Sequence, residues 1–274
     1  MRLLRCSWGR PMKKNLALWA LGTIVLVLDG CGGSYSALGP LLTGSGAYGG
    51  CKGSVSVGSV TCPGNGYALL ATTGQINISG SSIVIDSYSS ANGPYGGINI
   101  SALGNIKAGG LINNSASIVS IKGSVTPNTP TPLGSVSPTV ARQGNLNISG
   151  AFENLTFSAG DYYYGTINIS GAGVQFSNPS GLVRIWFDQL NISGTNSTIF
   201  GTSTSADLWL LGTCGATVNI SGAGINLYGI IYTPTGDVNL SGANMMFYGP
   251  IVGSNINVSG AFTGIHRDMA ICGY

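Results

Sequence analysis

Charge is scarce in this sequence: Asp, Glu, Lys and Arg together make up 7% of 274 residues, against about 25% in an ordinary globular protein. That excludes the basic surface of a nucleic-acid binder and the charge-rich composition of a disordered tail. Histidine occurs once, at His266, and no CxxC pair is present, so a zinc site lacks its usual ligands. No GxSxG sequence offers a nucleophile elbow. No ten-residue stretch between the repeats described below has helical periodicity, and the 45 glycines follow no three-residue period, which removes collagen. What is abundant is Gly, Asn, Ser and aliphatic residues, the composition of an all-β chain with a weakly charged surface.

The N-terminus has its own pattern. Residues 16–28, LALWALGTIVLVL, form a thirteen-residue apolar stretch behind Lys13 and Lys14. A bilayer-spanning helix needs about 20 such residues, whereas a signal-peptide core needs fewer. Leu28-Asp29-Gly30-Cys31 follows and resembles a bacterial lipobox, with Asp29 departing from the small or apolar residue usual at that position. The resemblance implies lipidation at Cys31, a membrane partner through the lipid anchor, and export to the bacterial envelope, with the outer membrane as destination. Residues 1–30 are then a lipoprotein-type signal peptide, 31–66 a tether and N-terminal loop, and 67–274 the main domain.

Five of eleven basic residues precede Cys31. Beyond it six basic residues face seven acids, a net charge of −1, so the positive charge belongs to the leader. Four cysteines remain after Cys31: Cys51, Cys62, Cys214 and Cys272. In an exported chain they are disulfide candidates. Four cysteines allow three connectivities; Cys51–Cys62 with Cys214–Cys272 closes one local loop and staples the end of the chain.

A five-residue motif sets the fold. Copies of apolar-Asn-apolar-Ser-Gly/Ala begin at Ile76, Ile98, Leu146, Ile167, Leu190, Val218, Val238 and Ile256. The Asn positions are spaced 22, 48, 21, 23, 28, 20 and 18 residues apart, the 48 reading as two turns with an inserted loop. A period near 20 with a short strand core is the mark of a solenoid. Apolar-Asn-apolar-Ser alternates with period 2, so the aliphatic pair faces inward and Asn with Ser faces out. The motif glycine is expected to supply a positive φ where the chain turns a corner. The predicted fold is a right-handed parallel β-helix with coils of about 18–28 residues. Pro127, Pro130, Pro132 and Pro138 mark 123–145 as an excursion from it, since proline cannot donate to a sheet ladder.

A weaker repeat, apolar-x-Tyr-Gly-x-Ile, aligns Tyr228 with Tyr248 and Gly229 with Gly249, and is expected to form a packing ladder. With Asp86-Ser-Tyr88, Gly93-Pro-Tyr-Gly96, Gly160-Asp-Tyr-Tyr-Tyr164 and Gly264-Ile-His-Arg-Asp268, these elements resemble a bacterial domain family of unknown function. Its members occur in pilus-assembly-related and cell-surface proteins and carry "fYGaiYaP" and "iHyD" elements. Here Tyr228-Gly-Ile-Ile-Tyr-Thr-Pro234 matches the first, with Thr233 for Ala. Ile265-His-Arg-Asp268 matches the second, with Arg267 for Tyr. The resemblance covers roughly residues 67–272 and implies a right-handed β-helix at the envelope; it implies no activity.

Catalysis is not indicated. Polysaccharide-cleaving β-helices need clustered carboxylates, and the candidates here are Asp188 with Asp207, or Asp237 with a neighbour across coils. His266-Arg267-Asp268 reads as the polar cap of a terminal coil. The sequence assigns no catalytic residue, no metal and no cofactor. The expected function is that of a non-catalytic, surface-exposed lipoprotein rod, adhesin-like or pilus-associated, with surface proteins or glycans as candidate partners. The alternative is a carbohydrate-binding or polysaccharide-cleaving β-helix.

Overall fold

The computed structural model describes residues 56, 64, 66–89, 98–100, 104–177, 181–200 and 207–268. Of two units in the chain, Met1–Gly46 and Ala47–Tyr274, these all belong to the second. The signal peptide, Cys31, Cys51, Cys62 and Cys272 lie outside the described residues.

Among the described residues there is no α-helix, and twenty strands form two sheets in which nearly all pairings are parallel. A full coil contributes three strand runs, and their parallel stacking is that of the predicted parallel β-helix. The first two runs are usually one long strand with a bend, such as Val183–Ile192 or Leu208–Ile220. The third is a short strand in the second sheet, such as Asn226–Tyr228. Because the side-chain period is 2, the aliphatic residues flanking each Asn turn inward together. Ile76, Ile78, Ile167, Ile169, Val218, Ile220, Val238, Leu240, Ile256 and Val258 are all 0–1% exposed. A second inward row, Leu155–Phe176–Ile199–Leu227–Phe247–Ile265–Ile85–Ile121, runs through the other sheet in register.

That row shows that the stacking order is not the chain order. Ile265, near the end of the chain, pairs with Ile85. Likewise Ile251–Val258 pairs with Leu69–Ala71 and Ile76–Ile78. The stack therefore begins at Leu146–Ile148, climbs to Ile251–Val258, and is continued upward by the N-terminal coils 69–78 and 106–114. Numbered from the bottom, rungs 1–8 carry Asn147, Asn168, Asn191, Asn219, Asn239, Asn257, Asn77 and Asn113.

Two expectations are corrected here. The Ile98 copy does not join the stack: Ile98–Ile100 lies antiparallel to Ser81–Ser89, and rung 8 is supplied by Ile112–Asn114, whose Ile-Asn-Asn reads only weakly as the motif. The 48-residue gap, read as two turns with an inserted loop, holds one further coil at residues 106–126, and its inserted segment is no local loop: it carries the chain from the top of the stack to its bottom.

The proline-rich segment makes that jump. From residue 127 to 145 the chain runs down the outer face of the first run, touching rung after rung. Thr129 N–H donates to Ala108 O on rung 8 and Thr131 N–H to Thr72 O on rung 7. Tyr232 Oη donates to Gly134 O (3.1 Å) on rung 5, Trp186 Nε1 to Val136 O (3.0 Å) on rung 3, and Gln143 N–H to Tyr163 O on rung 2. An extended chain of about 19 residues at ~3.1 Å each reaches ~59 Å, ample for seven spacings of ~4.8 Å. Val136 and Leu133 cover an outer apolar row of Trp186, Leu211, Tyr232, Val252 and Leu70, so the strap closes a second small core. Proline suits it because the strap needs no ladder of its own.

Candidate functional site

The polar face of the rod is one continuous amide ladder. Each Asn Nδ2 donates to the Oδ1 of the Asn below it, from Asn113 to Asn77, Asn257, Asn239, Asn219, Asn191, Asn168 and finally Asn147, with distances of 2.7–3.0 Å. All seven bonds point the same way. Each interior Asn has its amide oxygen and one amide hydrogen satisfied, which fixes rotamer and register at every rung. The motif serines beside it, such as Ser193, Ser221 and Ser241, are exposed.

The motif glycine is needed for room, not for φ. A Cβ on Gly171, Gly194, Gly222 or Gly242 would sit 1.8–2.0 Å from the carbonyl oxygen of the glycine one rung below. Positive φ falls two residues later, at Phe152, Gly173, Asn196, Gly224, Asn244, Phe262 and Ser82, where φ is between 51° and 67°. Gly and Asn tolerate this region; Phe does so at a cost. The Phe152 ring lies over the space where Gly173 has no side chain, yet both phenylalanines stay exposed, Phe152 at 80% and Phe262 at 60%.

The acids do not assemble. Asp188 is held by Tyr163 Oη (2.9 Å), Thr213 Oγ1 (2.7 Å) and the Arg142 guanidinium (3.3 Å), which pins the lower strap to the rungs. Asp161 accepts from Arg184 Nε at 2.7 Å and from Thr139 of the strap. Asp237 accepts from Asn255 Nδ2 (2.8 Å). Since Val183 is level with Leu208, Asp207 lies about six residues along the run from Asp188, roughly 20 Å away at ~3.3 Å per residue. The pair singled out in the sequence is therefore not brought together. Among the described residues no group of three or more His, Cys, Asp or Glu could hold a metal ion.

The tyrosine row aligns as expected. Tyr228 and Tyr248 stack with ring centroids 4.3 Å apart and 3° between planes, and His266 continues the stack at 4.9 Å. The histidine in turn contacts Asp86 on rung 7 through Nδ1. Tyr228, His266 and Asp86 are all buried. His266-Arg267-Asp268 is consequently not a terminal cap: its strand has a neighbour on each side, because rung 7 covers the coil that ends the chain. Sequence order alone could not reveal this. Cys214 is disulfide-bonded to a cysteine outside the described residues.

Residues 165–273 match the family model of a domain of unknown function (DUF7305). The match takes in rungs 2–6 and leaves the N-terminal coils and the strap outside it. No curated protein and no solved structure matches the chain.

Proposed function

We propose that the protein is a lipid-anchored bacterial envelope protein whose β-helix acts as a rigid, non-catalytic structural or interaction rod, adhesin-like or pilus-associated. The observation that carries this reading is the use made of the charged side chains. Asp86, Asp161, Asp188 and Asp237 each bind a group on another rung or on the strap, the arrangement of a stiff framework. The lipobox-like Leu28-Asp-Gly-Cys31 supports anchoring, and the family resemblance supports a place at the cell surface. Two or more acyl chains anchor stably where one binds marginally. Fractionation of cells expressing the wild type beside Cys31→Ser tests the reading. The wild type should partition with the outer membrane and the variant should be released; equal release of both would contradict lipidation.

A further inference from the structure

The two ends of the stack are complementary, and we infer that the rods assemble head to tail with copies of themselves. Three independent features point the same way. The first is ladder polarity. Among the described residues, Asn147 at the bottom accepts from Asn168 but its Nδ2 has no acceptor, while Asn113 at the top donates to Asn77 and Gln75 but its Oδ1 has no donor. A second copy placed on the first would lay an Asn147 donor over an Asn113 acceptor and carry the ladder across the junction with the same direction.

The second is the phase of the spiral. At the top the chain passes through Ile106–Ala108 in the first run, Ile112–Asn114 in the second and Val119–Ile121 in the third, then Val125–Thr126 in the first run again. There it leaves along the strap. It re-enters at the bottom with Leu146–Ile148 in the second run, Asn154–Thr156 in the third and Gly160–Ile169 from the first. Leaving after the first run and returning in the second means that a stacked copy continues the winding with no strand missing. The third is that the top edge carries bare apolar side chains among its polar ones: Leu111, Ile118 and Val125 are 52%, 65% and 49% exposed. Open parallel edges of this kind pair with another chain unless blocked, and a contact between two different surfaces that does not close on itself builds a filament.

The test uses the detergent-solubilised full chain, followed by sedimentation velocity and electron microscopy over a hundredfold range of concentration. The wild type should form filaments whose subunit repeat is about eight strand spacings, ~38 Å. Asn147→Asp keeps the acceptor for Asn168 but replaces the free donor with a carboxylate; Ile118→Glu with Val125→Glu charges the top. Each variant alone should sediment as a monomer with an unchanged melting temperature, and a 1:1 mixture should give dimers and nothing larger, since one intact top and one intact bottom remain. A wild type that stays monomeric throughout would overturn the inference. So would either blocked variant still forming dimers by itself, which would mean that like ends pair.

Discussion

Asparagine, glycine and phenylalanine each do one job at a fixed place in the repeat. The ladder makes an interior Asn worth more than a terminal one, because removing it strands a donor above and an acceptor below. Asn219→Ala should cost about 1–2 kcal/mol and Asn147→Ala about half that, measured by urea unfolding; equal costs would mean that the ladder bonds contribute nothing. Both should fall below Ile169→Ala, where a buried side chain is lost for ~2–5 kcal/mol. At the corner, Gly222→Ala drives a Cβ to 1.8 Å from Gly194 O and should destabilise by ~3 kcal/mol or more, the upper range of overpacking. Phe262→Asn should instead stabilise by about 1 kcal/mol, because asparagine tolerates the left-handed backbone at this exposed position better than phenylalanine does. The inward and outward assignment was legible from period 2 alone. The glycine's role was not, because a sequence shows a residue without a side chain but not which oxygen lies beneath it.

The strap is the element whose role composition concealed. Four prolines identify a segment that cannot join a ladder, yet they do not say whether it hangs in solvent or crosses eight rungs. The buried partners decide that: Val136 at 1% and Ser135 at 4% exposure, with Trp186 and Tyr232 donating to strap carbonyls. Tyr232 makes the strap sensitive to alkali. Burial pushes its phenol up from 10.0 to about 12, so the folded state keeps the proton that the unfolded chain loses. Its contribution is complete below pH 10 and is lost as pH rises from 10 towards 12, up to on the order of 2–3 kcal/mol. Tyr232→Phe should be less stable than wild type at pH 8, through loss of the bond to Gly134 O. Its melting temperature should then fall less steeply between pH 10 and 12; parallel slopes for the two proteins would exclude Tyr232 as the cause.

At the scale of the whole molecule, strands about 180 residues apart in sequence, Ile76–Ile78 and Ile251–Val258, become neighbours in the upper part of the stack. The coil that ends the chain would otherwise expose a parallel edge, and the N-terminal coils cover it with paired backbone, the Asn257–Asn77 bond and the Asp86–His266 contact. Repeats, period and strand type were readable from the sequence because each is a local property. Stacking order was not, since all motif copies are nearly equivalent partners for one another. What separates them is the length of chain needed to reach, and the strap, with a reach of ~59 Å, is long enough to return the chain to the bottom. Engineered cysteine pairs test that order most directly. Ser79 follows Ile78, which is level with Val258, so Ser79→Cys with Ser259→Cys places two thiols on adjacent rungs within disulfide reach. Oxidation of this double variant should yield an intramolecular disulfide between positions 79 and 259, read by peptide mass spectrometry. Ser79→Cys with Ser101→Cys, neighbours if coils stacked in chain order, should yield none. Linkage of position 79 to 101 and not to 259 would contradict the fold described.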